Sequence, residues 1–386
     1  MKPSIVVARP IFPEVLAKLA QHFEVTSNQP DAPWTPESWK AVLARSQGAL
    51  TTGADPINPD VLAACPGLRI CANMAVGFNN FDVPAMTAAR VVATNTPDVL
   101  TETTADFGFA LLMATARRMA ESEHFLRAGL WTQWRYDLFA GAEVHGSTLG
   151  ILGMGRIGQA IARRGAHGFG MKVIYHNRSR LNEATEAELR ATWVSKTDLF
   201  TQADHLILVL PYSPAVHHTV GTAELALMKP TATLINLARG GIVDDAALAK
   251  ALKERRIAAA GLDVFEGEPT VHPDLLTVPN VVLTPHIASA TVKTRLAMAN
   301  LAADNLIQKI RSACPQCSAP GYWVTAQTPG LPCGACGRKT HLPIGEVWSC
   351  SACQHEDHKH FSITGLADPS RCDFCNPLEY VAEALK

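Results

Sequence analysis

Three features are scarce in this sequence, and each scarcity narrows the class of protein. Its 386 residues carry 34 Lys and Arg against 35 Asp and Glu, so no excess of charge attracts a polyanion such as nucleic acid. No run of about 18 apolar residues is long enough to cross a bilayer, and the opening MKPSIVVARP is not typical of a secretory signal. Only Cys65 and Cys71 precede residue 314. We therefore expect a cytoplasmic protein that binds neither nucleic acid nor membrane.

The other eight cysteines form four CxxC pairs, with gaps of 15, 13 and 18 residues between successive pairs. In a chain expected to be cytoplasmic, such pairs are typical of Cys₄ zinc ribbons and not of disulfides. We predict two structural zinc ions held by Cys314, Cys317, Cys333, Cys336, Cys350, Cys353, Cys372 and Cys375. Sequential pairing is the simplest arrangement and interleaved pairing stays open, as does substitution by His341, His355, His358 or His360.

The cysteine-rich tail also excludes one common partner of zinc ribbons. Residues 314–386 contain five Lys or Arg and seven Asp or Glu, a net charge of −2. Eight thiolates and two zinc ions make this formal charge more negative still, so a phosphate backbone is repelled. The tail therefore favours contact with a protein partner, subunit assembly or regulation over binding of nucleic acid, and the sequence does not choose among these three.

Before the tail, short apolar runs alternate with helical patterns, which is typical of βαβ units with parallel sheets. This rhythm occupies the first hundred residues and restarts at Thr148, where six strands follow. A single long helix over Thr101–Ala120 is predicted between the two series, and a last helix over Ala290–Ile310. The sequence thus predicts an α/β protein with two doubly wound parallel sheets and a small zinc-ribbon-like tail.

A glycine-rich turn opens the second series. In GILGMGRIGQAIARR, the residues Gly153, Gly155 and Gly158 have GxGxxG spacing, after an apolar strand and before a helix. These glycines permit a tight turn, close approach of a pyrophosphate and close packing of helix on strand. We predict a dinucleotide site whose phosphates meet the backbone of Gly153, Met154, Gly155, Arg156, Ile157 and Gly158.

The residue that usually identifies NAD is missing from this site. An Asp or Glu about 20 residues after the turn ordinarily binds the ribose hydroxyls. Here the second strand ends in Asn177, Arg178, Ser179 and Arg180. Two guanidinium groups with a hydroxyl and an amide suit a 2′-phosphate, so the sequence favours NADPH over NADH.

Three later stretches carry the groups that reduction of a carbonyl requires. NLARGGIVDD contains Arg239, GLDVFEGEPT contains Asp263 and Glu268, and TPHIASAT contains His286. His286 is predicted to donate a proton, Glu268 to orient and charge the imidazole, and Arg239 to clamp a carboxylate. Other residues that follow strand ends are assigned to the cofactor site together with Arg239, Asp263 and His286: Leu210, Pro211, Leu237, Ala238 and Ala288.

Together with GMGRIGQAIARR, these stretches resemble the D-isomer-specific 2-hydroxyacid dehydrogenases. LTETTADFGFALLMATARRM, GLWTQW and HGSTLGILGMGRIG are most similar to the NADPH-using glyoxylate and hydroxypyruvate reductases, which include 2-ketogluconate reductases. The resemblance covers residues 1–310 and implies catalysis by Arg239, Glu268 and His286. It also implies a homodimer, carboxylate binding by the backbone of Val76 and Gly77, and Asp263 beside the nicotinamide carboxamide.

This resemblance implies three domains and a first hypothesis for function. Residues 1–98 and 286–312 form a flavodoxin-like substrate domain, 99–285 a Rossmann domain, and 313–386 the zinc module. The hypothesis is NADPH-dependent reduction of small 2-keto acids to D-2-hydroxy acids, with glyoxylate and hydroxypyruvate first and 2-ketogluconate next. The alternative is a zinc-organised regulatory protein whose dehydrogenase part senses NADP(H) without turnover.

Overall fold

A computed structural model describes residues 2–318, 321–350, 353–363, 365–369, 372 and 374–375. The chain divides into two compact units, the first formed by Met1–Thr96 with Ala299–Lys386 and the second by Pro97–Met298. The cysteine-rich segment therefore belongs to the first unit in this division. The three domain boundaries given by the sequence stay a prediction.

The first unit contains a parallel five-stranded sheet whose three central strands are buried. The strand order is β2-β1-β3-β4-β5, the flavodoxin-like arrangement. Three of its helices follow a side-chain cap, from Thr35, Asn58 and Asp82, and have a proline at the first or second helical position. The elements are β1 Ser4–Val7, α1 Pro13–His22, β2 Glu24–Ser27, α2 Pro36–Leu43, β3 Gly48–Thr51, α3 Pro59–Ala64, β4 Ile70–Asn73, α4 Val83–Ala88 and β5 Val92–Thr94.

The second unit contains a parallel seven-stranded sheet in the order β12-β11-β10-β9-β6-β7-β8, the Rossmann order with one added strand. Apolar side chains cover both faces of this sheet in two buried clusters. Its elements are α5 Thr101–Ala116, α6 Met119–Arg127, β6 Thr148–Leu152, α7 Arg156–Arg163, β7 Lys172–His176, α8 Glu183–Leu189, β8 Ala191–Trp193, α9 Lys196–Gln202, β9 His205–Leu208, α10 Thr222–Leu227, β10 Thr233–Asn236, α11 Asp245–Lys253, β11 Ala259–Leu262 and β12 Val281–Leu283. The last helix, α12 Val292–Arg311, has residues in both units.

The structure confirms the predicted fold class and corrects two of its elements. The single helix predicted over Thr101–Ala120 is wrong, because Arg118 adopts a left-handed backbone with φ +53° between α5 and α6. The count of six strands in the second sheet is also wrong, because β8 was missed. Only Ala191 of its three residues is buried, so this edge strand has no apolar alternation to reveal it.

The tail forms a three-stranded antiparallel sheet of β13 Trp323–Pro329, β14 Pro343–Ser349 and β15 Glu356–His360. The backbone attaches this sheet to the end of α12, because the N–H groups of Gly321 and Tyr322 donate to the carbonyls of Lys309 and Ser312, each at 2.9 Å. Among the described residues, no helix combines the length and the apolar character needed to span a membrane.

Candidate active site

The loop after β12 presents His286 from a strained backbone. His286 has a left-handed φ of +54°, which a residue with a side chain rarely adopts. Asp263, fully buried after β11, holds this loop in place. Its Oδ1 accepts from the Ile287 N–H and its Oδ2 from the Ala288 N–H, both at 2.8 Å. The conformation that aims His286 therefore depends on a buried carboxylate one strand away.

Glu268 contacts the His286 ring directly. The Nδ1 atom of His286 lies 2.8 Å from Oε2 of Glu268, while Oε1 of Glu268 accepts the Phe265 N–H at 2.9 Å. Partial burial by itself would raise the Glu268 pKa. The hydrogen bond and charge of His286, with the Phe265 N–H and the charge of Arg239, outweigh burial and lower this pKa. Glu268 is thus held as a carboxylate that fixes the orientation of the imidazole.

Arg239 lies in the loop after β10, next to the Glu268 turn. Its Nη1 donates to the carbonyl of Ala238 at 2.7 Å. The two loops are packed so closely that a Cβ on Gly240 would lie 1.7 Å from the carbonyl oxygen of Phe265. Desolvation lowers the Arg239 pKa, and the negative charge of Glu268 acts in the opposite direction. A guanidinium remains charged under these conditions, so a fixed cation stands near the carboxylate–imidazole pair.

The glycine turn between β6 and α7 has the shape that a dinucleotide requires. Gly153 has φ +104°, and a Cβ there would lie 2.8 Å from the Leu210 nitrogen. A Cβ on Gly158 would lie 2.3 Å from the Gly153 carbonyl oxygen, whereas a Cβ on Gly155 would meet no atom within 4 Å. The first N–H groups of α7, from Arg156 onward, have no acceptor inside the helix. Gly153 and Gly158 therefore pack against protein atoms, while Gly155 leaves space where a pyrophosphate can approach. The turn fits the pyrophosphate of a dinucleotide.

At the end of β7, the four residues predicted to bind the 2′-phosphate differ in their contacts. The amide oxygen of Asn177 accepts the Met154 N–H at 2.7 Å, so this side chain shapes the glycine turn. Arg180 pairs with Glu186 through bonds of 2.9 and 2.6 Å. Arg178 and Ser179 are exposed, and Arg178 forms no ion pair with any residue that the structure describes.

Glu186 was missed by the sequence reasoning. It lies on α8, is 7% exposed, and also accepts the hydroxyl of the buried Tyr175 at 2.7 Å. The hydrogen bond from Arg180 is the main cause that lowers the Glu186 pKa. No sequence motif identifies Glu186 as the partner of Arg180 and Tyr175, because only the folded structure brings α8 against the end of β7.

The other residues of the second unit that the sequence assigns to the cofactor follow strand ends. Leu210 and Pro211 follow β9, and Leu237 and Ala238 follow β10. The Ala238 N–H donates to the side chain of Asn236 at 3.0 Å, and the Ala288 N–H is taken by Asp263. These contacts set the backbone path along the carboxyl edge of the sheet.

In the first unit, the loop after β4 exposes two backbone donors. The carbonyls of Val76 and Gly77 accept side-chain amides of Asn95 and Asn73, at 2.8 and 2.9 Å. Within the described part of the chain, the N–H groups of Val76 and Gly77 have no acceptor. The two asparagines, which the sequence reasoning missed, hold the loop so that both donors remain available for an anion.

The eight cysteines of the tail form two tetrads with interleaved pairing, so the simpler sequential arrangement is wrong. One tetrad contains Cys314, Cys317, Cys350 and Cys353, and the other Cys333, Cys336, Cys372 and Cys375. Four of the Sγ–Sγ distances are 3.6–3.7 Å. Tetrahedral zinc with Zn–S bonds of about 2.3 Å separates its sulfurs by about 3.8 Å, so both tetrads fit the ion.

Backbone donors at the two tetrads favour thiolates. The N–H groups of Cys336 and Ala335 lower the pKa of Cys333 to about 7. At Cys314, desolvation raises the pKa, but the N–H groups of Cys317 and Gln316 outweigh it and bring the value to about 6. The pKa of Cys353 and of Cys375, in the same tetrads, is raised to about 12, since their neighbouring thiols stabilise the protonated form. Each tetrad thus has one cysteine poised as the thiolate that binds a metal.

This fold and this site define a pyridine-nucleotide-dependent oxidoreductase with two α/β units. Residues 109–288 match the family described as D-isomer specific 2-hydroxyacid dehydrogenase, NAD binding domain. A glyoxylate reductase of Thermococcus gammatolerans is 46% identical over 312 residues, 80% of this chain and 92% of that protein. A glyoxylate reductase of Aeropyrum pernix is 45% identical over 339 residues, 86% of this chain and 99% of that protein.

Solved structures agree with these relatives. The NADPH-dependent glyoxylate/hydroxypyruvate reductase of Sinorhizobium meliloti, solved with NADP and malonate, is 36% identical with a TM-score of 0.70. The comparison covers 83% of this chain and 97% of that chain. The chain belongs to the D-isomer-specific 2-hydroxyacid dehydrogenase family, whose members use a nicotinamide cofactor to interconvert 2-keto and D-2-hydroxy acids. Residues 280–377 match a domain of unknown function, DUF6671.

Proposed function

We propose that this protein is an NADPH-dependent reductase of small 2-keto acids, with glyoxylate and hydroxypyruvate as leading substrates and 2-ketogluconate next. The observation that carries the proposal is the 2.8 Å contact between His286 and Glu268, beside the guanidinium of Arg239. Glyoxylate reductase activity in the relatives and the NADP-bound reductase of S. meliloti support the substrate class and the cofactor.

The proposed chemistry assigns one task to each group. NADPH, when bound, supplies the hydride. Arg239 binds the substrate carboxylate and polarises the keto oxygen. In the first unit, the Val76 and Gly77 N–H groups are donors suited to an anion. His286 gives its proton to the oxygen that becomes the hydroxyl, while Glu268 on the other ring nitrogen stabilises the imidazolium beforehand. Backbone contacts hold Glu268 and Arg239 in place, so these side chains need little rearrangement for the reaction.

A substrate panel with both nicotinamide cofactors tests this function. We expect NADPH oxidation with glyoxylate and hydroxypyruvate, and a loss of at least about a hundredfold in kcat when His286 is replaced by Gln. The control is His145→Gln, an exposed histidine of the same unit, which should keep full activity. Binding of NADPH without turnover of any keto acid would instead support the sensor alternative.

For the nucleotide, we propose that Arg178 and Ser179 bind the 2′-phosphate directly and that Asn177 acts by shaping the turn. Arg178 is exposed and unpaired among the described residues, while Glu186 offsets the charge of Arg180. Arg178→Asp should weaken NADPH binding roughly 10- to 100-fold and leave NADH binding nearly unchanged. Arg190→Asp is the matched control. Arg190 precedes β8 and so lies at the amino ends of the parallel strands, whereas Arg178 follows β7 at their carboxyl ends. Equal losses for both nucleotides would contradict the assignment.

We also propose two structural zinc ions and a protein partner for the tail. A tail partner should be retained by the intact chain and lost after zinc chelation.

We further propose a homodimer. The segment after α6 exposes Trp131, Trp134 and Tyr136, and Tyr136 is 93% exposed. These side chains form an apolar surface suited to contact with a second copy of the chain. Light scattering should give twice the chain mass, and Trp134→Glu should shift it towards the monomer.

A further inference from the structure

A second cluster of metal-ligating side chains lies at the carboxyl edge of the seven-stranded sheet, separate from Arg239, Glu268 and His286. It consists of His217 and His218, in the connection after β9, and Glu266, in the turn after β11. One ligand atom from each residue lies within 4.8 Å of the other two. Neither the family assignment nor the proposed reaction uses these residues.

The two imidazoles are directed at the same carboxylate. Their rings are stacked, with centroids 3.8 Å apart and planes inclined by 22°. The Nε2 atom of His218 lies 2.9 Å from Oε2 of Glu266, and the Nε2 atom of His217 lies 3.7 Å from Oε1. A single protonated imidazole would be enough to neutralise Glu266. The second ring, His217, then stacks on a cation without a hydrogen bond to Glu266, so an ion pair alone does not account for the arrangement.

The other ring nitrogen of each histidine faces an oxygen atom. Nδ1 of His217 lies 3.2 Å from the Tyr212 hydroxyl, and Nδ1 of His218 lies 4.0 Å from Oδ2 of Asp244. Metal-binding histidines characteristically present one nitrogen to the ion and the other to a carboxylate or another oxygen acceptor. His217 follows this pattern, with Nε2 as the nitrogen left for the ion, whereas Nδ1 of His218 is near the Asp244 carboxylate but beyond hydrogen-bond distance.

The backbone holds the pair in place before any ion binds. His218 has a left-handed φ of +50°, and its N–H donates to the Gly241 carbonyl at 2.7 Å. A Cβ on Gly241 would lie 3.1 Å from Nδ1 of His217, so the ring packs directly on that loop. Strained backbone that neighbouring structure maintains is characteristic of functional positions. The loop after β10 therefore holds the backbone of His218 and supports one side of the His217 ring.

The geometry points to a binding site for one divalent transition-metal ion, held by Nε2 of His217, Nε2 of His218 and the Glu266 carboxylate. Two imidazoles with a carboxylate suit Zn²⁺, Ni²⁺ or Co²⁺, and the partly exposed side chains leave coordination positions for water. Each nitrogen lone pair lies in its ring plane, so binding at about 2.1 Å opens the stacked rings. The ion joins the connection after β9 to the turn that leads to Glu268.

Nickel binding to the zinc-loaded full chain tests the site. Calorimetry is expected to show one Ni²⁺ per chain, and the zinc content measured after dialysis is expected to stay unchanged, which excludes exchange at the cysteines. His217→Ala and Glu266→Gln should each weaken Ni²⁺ binding at least about tenfold, which is 1.4 kcal/mol. Glu266→Gln preserves the size of the side chain, so it covers the case in which His217→Ala fails to fold.

The control is His145→Ala, which removes an exposed histidine of the same unit and should bind Ni²⁺ as the unaltered chain does. Absence of Ni²⁺ binding by the unaltered chain overturns the inference. Equal affinity in the unaltered chain and in both cluster variants also overturns it, because the ion would then be bound elsewhere.

Discussion

Replacing Asp263 by Asn tests how the reactive histidine is positioned. Asp263 accepts three hydrogen bonds of 2.8 Å, from the N–H groups of Ile287 and Ala288 and from the Thr284 hydroxyl. An Asn side chain has one oxygen, so its NH₂ group must face a backbone N–H. One charge-assisted bond is lost and one buried donor is left without an acceptor.

The magnitude follows from these contacts. Losing the charge-assisted bond and burying an unpaired N–H costs roughly 2–4 kcal/mol in the free energy of unfolding. For a unit of this size that corresponds to a fall of roughly 4–15 °C in Tm. The His286 loop relaxes from its left-handed backbone, and a displacement of about 1 Å at a catalytic group costs about a hundredfold in kcat. Arg295 also loses the favourable charge of Asp263, which opposes the effect of desolvation on the Arg295 pKa.

The assay measures kcat and KM for glyoxylate, NADPH affinity and Tm. We expect Asp263→Asn to lower kcat and Tm while NADPH binds nearly as before. Asp245→Asn is the control, because Asp245 is also buried but contacts the Glu266 N–H and not the His286 loop. Full kcat with lost NADPH affinity would refute the positioning role and favour contact between Asp263 and the nicotinamide.

Three further predictions concern the site and the tail. The lowered Glu268 pKa means that its ionised form stabilises the fold above the unfolded value of about 4.3, and this contribution is lost as pH falls through the lower folded value. Tm values of the unaltered chain and Glu268→Gln should therefore converge below about pH 4; a constant difference would contradict this. Gly155→Ala should keep Tm and lose NADPH binding, whereas Gly158→Ala should lose both, since only its Cβ meets protein atoms; calorimetry and thermal melts decide between them. Cys314→Ser with Cys350→Ser should retain one zinc per chain and Cys314→Ser with Cys333→Ser none, by elemental analysis; the reverse would restore sequential pairing.

The sequence by itself determined the features that depend on local pattern. Apolar runs, the GxGxxG turn and residues at strand ends predicted two parallel sheets, the nucleotide edge, and the positions of Arg239, Glu268 and His286. The prediction of two parallel sheets succeeds because strand, turn and helix preferences are set by neighbours in the chain. Glu268 meets His286 because parallel strands bring their carboxyl ends to one edge, while the roles given to these residues stay predictions.

Only the tertiary structure decided which side chains meet. CxxC spacing is compatible with either pairing, and the three-stranded sheet of the tail selects the interleaved one. Asn177 and Arg180 were assigned to the nucleotide by position and Asp263 by resemblance, and the structure adds their protein partners: Met154, Glu186 and the backbone of the His286 loop. Those partners are distant in sequence or lie on another element. The periodicity of a sequence indicates which face of an element a residue occupies. A hydrogen bond requires that two elements be placed to within a few tenths of an ångström, and only tertiary packing sets that placement.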